Sequence, residues 1–207
     1  MKTHLLNNKK KFIVIFLLLT LLSFSKSYGN DDLEGLKLIS IGNNEAPVKI
    51  KVFSSLTCPH CANFHLNVIS EIKKKYVSSG KVKIIFVDFP LDLAALNASK
   101  IIHCAEKKLQ MKVMDLIYEK QNKWAEGNTI EEINDKLKKI TKTIGINSDK
   151  VDKCFLDENI ENIVLNSRIN GDKKYSISST PTIIINEKKY KGKNNFEEIE
   201  KKIIKII

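Results

Sequence analysis

The sequence predicts an α/β fold in the order βαβ, helical block, ββα. Three observations carry this. Val48 to Ser54 (VKIKVFS) alternates as a strand and passes at once into a helix. Val82 to Phe89 (VKIIFVDF) is a second, buried strand and closes a βαβ unit. Far downstream, Pro181 to Ile185 opens a third strand, followed by a turn, a short return strand and a last amphipathic helix. The chain has 207 residues and is 43% apolar, enough for one domain with an insertion and a full hydrophobic core. That composition excludes a disordered chain. Eight Gly and four Pro exclude collagen-like architectures, four Cys are too few for a disulfide-framework mini-protein, and no fixed-period repeat is present.

Each element has a local cause. Val48, Ile50 and Val52 share one strand face. Thr57-Cys58-Pro59-His60-Cys61 follows, and Pro59 suits a first helical turn, where its missing N–H is no loss. His65, Val68, Ile69, Ile72 and Tyr76 then line one helical face, and Gly80 is a stop signal. Residues 92–170 read as helices. Ala94, Ala98, Ile101, Cys104 and Ala105 form an apolar stripe. Thr129 and Glu132 make a capping box for a helix with Ile130, Ile133, Leu137, Ile140 and Ile144 inward, ended by Gly145. A short helix from about Ser148 carries Val151, Cys154 and Phe155. Another runs from about Asn159 to Asn170, with Gly171 expected as its stop. Asn186-Glu187 is the expected turn before a return strand over 188–191. Asn195 caps the last helix, with Phe196, Ile199, Ile203 and Ile206 inward.

The net charge of +11 is misleading as a guide to function. Residues 1–29 hold five Lys and no acid, which leaves 30 Lys+Arg against 24 Asp+Glu in the remainder. Arg168 is the only arginine, the Lys runs are scattered, and aromatics are not interleaved with them. Nucleic-acid readers lean on arginine forks and stacking platforms, so no nucleic-acid partner is expected. Basic residues through Lys11 precede the apolar run Phe12 to Phe24, too short for a membrane span and suited to an export signal cut before Asn30. An uncleaved anchor is the alternative. Either way the remainder is expected outside the cytoplasm, where disulfides persist.

The chemistry sits in Cys58-Pro59-His60-Cys61. A thiol at a helix N-terminus faces unpaired N–H groups and the positive end of the dipole, and both favour thiolate. His60 can add a positive charge or a donor near the sulfur. Stabilising the thiolate stabilises the reduced form and makes the disulfide a stronger oxidant. Cys58, at the helix start and expected to be exposed, is the sulfur to be attacked. Cys61, one turn inside and more buried, closes the resting disulfide. A zinc site would use Cys58, Cys61 and His60 or His65, but lacks a second ligand pair. Covalent haem would need His where Ala62 stands, and a purely structural bridge would close a loop too short to stabilise much.

Phe53-Ser54-Ser55-Leu56-Thr57-Cys58-Pro59-His60-Cys61-Ala62 resembles the active-site segment of the DsbA-like thiol–disulfide oxidoreductases of the bacterial periplasm. Asp88-Phe89-Pro90-Leu91, Thr180-Pro181-Thr182 and Tyr190-Lys191-Gly192 are similar to three further segments of that family, so the resemblance spans about residues 36–207. It implies a thioredoxin-like fold (βαβ…ββα) with an α-helical insertion between the two halves. The division would be a signal peptide at 1–29, a first half with the CxxC at 30–91, the insertion at 92–171, and a second half with the cis-proline loop at 172–207. It implies a cis bond before Pro181 and a substrate peptide pairing beside Thr180 and Pro181 as an added strand. The alternative for Pro181 is a trans proline opening an edge strand. Two positions depart from the family. Val52 stands where many relatives carry an acid, and Thr180 where the best-studied oxidases have valine.

Cys104 and Cys154 both fall on apolar helical faces. A structural bridge between them is the simplest reading, and two buried free thiols are the alternative. His103 reads as a surface or core histidine rather than a ligand. The expected activity is donation of the Cys58–Cys61 disulfide to newly exported reduced proteins. By resemblance, reoxidation would come from a membrane quinone-linked partner of the DsbB or equivalent type. No small-molecule cofactor or metal is expected, and the protein is expected to be a monomer in the periplasm. The alternatives are a reductase or isomerase on the same fold, or a metal-binding module. The short stretch from Asn30 to Pro47 argues against an isomerase's dimerisation domain.

Overall fold

The computed structural model describes Leu33 and residues 36–207. The export signal expected at residues 1–29 lies outside the described residues. Five strands form one sheet in the order β1-β3-β2-β4-β5. They are β1 (Ile39–Ile41), β2 (Val48–Ser54), β3 (Val82–Asp88), β4 (Thr182–Ile185) and β5 (Lys188–Lys189). β2 and β3 run parallel, as a helix crossover requires, and the other pairs are antiparallel. The β2–β3 register places Val52 opposite Phe86 and Ser54 opposite Asp88.

The crossover is one continuous helix, α1. It begins as an α-turn at Pro59–Asn63 and continues through wider π-type segments at Phe64–Ile69 and Lys73–Val77, with Ser70–Ile72 between them. Its inward residues, among them His65, Val68, Ile69, Ile72 and Tyr76, are buried, as their spacing predicts. They pack with Val48, Ile50, Val52, Ile84 and Phe86 in the main core. Alternation along β2 suggests one wet face, but the other face is covered too. Phe53, Val87, Phe89, Ile177 and Ile184 form a second cluster there. Lys51 is drawn into the same layer, its ammonium held by Glu187 and by the Tyr175 hydroxyl at 3.1 Å.

The helical block comprises α2 (Leu93–Cys104), α3 (Gln110–Glu119), α4 (Gln121–Trp124), α5 (Ile130–Lys142), α6 (Ser148–Phe155) and α7 (Glu158–Tyr175). Side-chain caps start four of them. Asp92, Thr129, Asn147 and Asp157 each accept a backbone N–H three residues on. The expected stop at Gly171 is wrong: α7 runs on to Tyr175 and ends at Ser176, which takes φ 50°. Gly171 is inside the helix for a packing reason. A Cβ there would stand 2.2 Å from the Phe53 ring, so only glycine lets α7 lie this close to β2.

Cys104 and Cys154 form a disulfide joining α2 to α6 across 50 residues of chain. Loop-closure entropy makes such a bridge worth roughly 4 kcal/mol. Beside it Lys100, its side chain 2% exposed, donates to the Phe155 carbonyl and to Glu161 at 2.6 Å each. The second half follows as expected. Asn186 and Glu187 both take positive φ in the two-residue turn between β4 and β5. Asn195 caps α8 (Phe196–Ile204), which buries Ile199 and Ile203. Among the described residues, no helix is long and apolar enough to cross a membrane.

Candidate active site

β2 delivers the chain to the start of α1, and Cys58 is the N-cap residue with extended backbone (φ −78°, ψ 118°). Its carbonyl accepts from the N–H groups of Cys61 and Ala62 at 3.0 and 3.1 Å. Pro59 takes the first helical position, where it forfeits no hydrogen bond. Across from this turn lies the loop ending in a cis Thr180–Pro181 bond. The Cys58 thiol donates to the Thr180 carbonyl at 3.5 Å. A cleft of about 230 Å³ lies between the two segments, with His60 and Phe64 on one wall and Thr180, Pro181 and Asn194 on the other. The fold therefore brings together Cys58, Pro59, His60, Cys61, Thr180 and Pro181. Cys104 and Cys154 stand apart, in the helical block.

Cys58 and Cys61 are free thiols here, and they differ in poise. Burial raises the Cys58 pKa. The Thr180 side chain, the Cys61 thiol and the backbone N–H groups of Cys61 and His60 outweigh it, and the pKa lies below the ordinary thiol value. Burial dominates at Cys61 and pushes its pKa up to about 12, against weaker help from Thr180 and the Ser55 N–H. Cys58 is itself only 8% exposed, against 1% for Cys61, so the expectation of an exposed nucleophile needs correction. The cis-proline loop and the helical block cover most of it. The His60 ring is exposed, and this residue acts on Cys58 through its backbone N–H. His65, a conceivable zinc ligand from the sequence, is turned away. Its Nε2 lies 2.7 Å from Asp115, and its ring stacks on Tyr118 at 4.5 Å.

Sequence reasoning missed several groups around the sulfurs. Gln121 donates from the helical block to the Leu56 carbonyl at 2.7 Å and the Cys58 carbonyl at 3.1 Å, clamping the active-site loop. Thr57 donates to Asp92 at 2.7 Å, tying the same loop to the cap of α2. Asp88 and His103 form a pair at 2.6 Å with side chains 13% and 4% exposed. No local pattern marks Gln121. Asp88 was within reach, because strand parity places it on the face of Ile84 and Phe86, toward α1.

A thioredoxin family model matches residues 36–205. The crystal structure of Wolbachia pipientis alpha-DsbA1 is 26% identical, with a TM-score of 0.75, and covers 82% of this chain and 90% of its own. The Bacillus subtilis disulfide bond formation protein D is 25% identical over 185 residues, 86% of this chain and 82% of that protein. A Rickettsia bellii relative named for protein-disulfide oxidoreductase activity is 28% identical over 148 residues, 70% of this chain and 56% of its own length. The chain thus spans only about half the length of several Rickettsia relatives it matches. With this match over most of its length and two unequal thiols facing a cis-proline loop, the chain belongs to the thioredoxin-fold, DsbA-like family of thiol–disulfide oxidoreductases.

Proposed function

We propose that the protein is an exported disulfide donor that passes its Cys58–Cys61 disulfide to newly translocated proteins in the periplasm. The supporting observation is the opposite poise of the two sulfurs, Cys58 held toward thiolate and Cys61 held as thiol. A substrate thiolate attacks Cys58, and Cys61 departs and takes a proton. The substrate's second thiol then attacks its own sulfur in the mixed disulfide, releasing oxidised substrate and the Cys58 thiolate. Because that thiolate is the favoured leaving group, the mixed disulfide collapses toward transfer. The cleft between His60 and Thr180-Pro181 would seat the substrate backbone as an added strand. Return of the disulfide would come from a membrane quinone-linked partner of the DsbB or equivalent type, as the family resemblance implies.

The reduction potential tests the direction of flow. The Cys58–Cys61 couple, equilibrated in glutathione buffers, is expected toward the oxidising end, about −120 mV rather than about −270 mV. A value at the reducing end would turn the protein into a reductase. Absence of a reversible couple would remove the redox reading altogether.

A further inference from the structure

The cleft beside Cys58 opens at the sulfur itself, because the Thr180 carbonyl on its far wall lies 3.5 Å from the Cys58 Sγ. At about 230 Å³ it is small beside the roughly 300–1,000 Å³ of a ligand pocket, so it takes a side chain rather than a free cofactor. Asn63 of α1 stands on one wall with His60, and Ser179 and Asn194 stand on the other beside Thr180 and Pro181. Among the described residues, the lining holds no Asp, Glu, Lys or Arg. Phe64 also borders the cleft, but at 2% exposure it is committed to the main core and offers almost no apolar surface. The two amides are oriented by the fold. Asn63 Oδ1 accepts from Asn67 Nδ2 at 2.7 Å, one turn along the helix, which leaves the Asn63 Nδ2 donors unspent. Asn194 Nδ2 donates to the Pro181 carbonyl at 3.3 Å, which leaves its Oδ1 as an acceptor. The Thr182 hydroxyl donates to the Ser179 carbonyl at 2.6 Å and steadies the loop between them. The cleft thus presents a fixed donor on one wall and a fixed acceptor on the other.

We propose that this cleft makes the protein selective for substrate cysteines that have an Asn or Gln two residues away, read by Asn63 and Asn194. This rests on the disulfide-exchange reading above and names the substrates it favours. Side chains alternate along an added strand, so the residue two positions from the substrate cysteine turns to the same side as the sulfur bound for Cys58. Two strand residues span about 6.8 Å, and Asn63 lies five residues beyond Cys58, about 7.5 Å along α1, so the two reaches match. A carboxamide carries both an acceptor and a donor, which meet Asn63 Nδ2 and Asn194 Oδ1 respectively. An apolar side chain strips water from both amides and returns no hydrogen bond. A substrate ammonium meets no carboxylate in the cleft, and a substrate carboxylate meets no Lys or Arg.

The test is a competition. Protein carrying the Cys58–Cys61 disulfide is mixed at pH 7 with an excess of equimolar reduced peptides of the form Cys-Ala-Xaa-Ala-Cys. Xaa is Asn, Gln, Leu, Phe, Asp or Lys and lies two residues from either cysteine. Each oxidised peptide loses two hydrogens and two electrons to the protein, whose disulfide becomes the Cys58 and Cys61 thiols, so mass spectrometry counts the winners. Divided by the same ratios with oxidised glutathione, the product ratios are ratios of kcat/KM. We expect the Asn and Gln peptides to lead the Leu and Phe peptides by about tenfold, the worth of one or two net hydrogen bonds. Asn63 is exposed, so Asn63→Leu should fold, and it should cut that lead below about threefold. A purely structural role for Asn63 would slow all the peptides together and leave the ratio alone. Leu, Phe, Asp or Lys peptides ahead of Asn and Gln overturn the proposal. A lead under about threefold in the unaltered protein does so too, as does a lead untouched by Asn63→Leu. Oxidation of no peptide at all refutes the disulfide-exchange reading itself, and the proposal falls with it.

Discussion

Replacing Cys58 by serine leaves Cys61 as a lone thiol, since Cys104 and Cys154 are joined. Its alkylation rate then measures how far burial suppresses the thiolate. With the pKa at about 12, about one Cys61 in 100,000 is ionised at pH 7, against about 3% for a thiol of ordinary pKa near 8.5. That is a deficit of roughly 3,000-fold. Removing Cys58 also removes its hydrogen bond and charge, which help hold the Cys61 pKa up, so part of the deficit is recovered. Burial is the largest cause and stays. Iodoacetamide should therefore modify Cys61 in Cys58→Ser at least about 100-fold more slowly than Cys58 in Cys61→Ser at pH 7. The Cys61 rate should still be rising about tenfold per pH unit at pH 9. Quenched-flow alkylation read by intact mass gives both numbers. Rates within tenfold of each other, or a Cys61 profile levelling below pH 9, would refute the assignment of unequal poise.

Gln121→Leu removes the donor shared by the Leu56 and Cys58 carbonyls. It should cost about 1–3 kcal/mol in urea unfolding, and a loss below that range would mean the clamp is idle. Glu161→Ala leaves the Lys100 ammonium buried without its carboxylate and should cost about 2–4 kcal/mol. Lys100→Met, nearly equal in volume, should cost about 1 kcal/mol, and the reverse order of the two would show that the charge is not what staples these helices. Gly171→Val should be destabilising by several kcal/mol in thermal unfolding, because the Phe53 ring already occupies the space. The His103 pKa is raised: burial opposes the charge, but Asp88 overrides it. The stability this supplies is full below the imidazole's unfolded value of about 6.5 and fades as pH rises through the higher folded value. The stability gap between the unaltered protein and His103→Gln should shrink accordingly from pH 5 to pH 9, and a gap constant across that range would contradict the pairing.

Much of the site was legible because it is local. A strand running into Cys58-Pro59-His60-Cys61 needs only nearest neighbours to put a sulfur at a helix start, and the caps at Thr129 and Asn195 are read within four residues. The groups that surround the sulfurs come from elsewhere. Gln121 lies more than sixty residues from Cys58, and its amide is an ordinary solvent-seeking group until α4 is laid against the loop. Gly171 misled for the same reason. A glycine near a helix end is usually a stop, and only the approach of Phe53 from a distant strand turns it into a packing requirement.

β1, α3 and α4 were not read from the amino-acid sequence, whereas the βαβ and ββα halves with helices between them, the redox motif and the expectation of an export signal follow from it by itself. Each depends on periodicity, capping or spacing within a few residues, where backbone sterics and local solvation decide. The tertiary structure decided how the two sulfurs differ and what surrounds them. It closed Thr180-Pro181 over Cys58, sank Cys61 beneath the helices, and set Asp88 and His103 under the same face. Burial and the direction of a hydrogen bond belong to elements distant in sequence, and no single segment carries them.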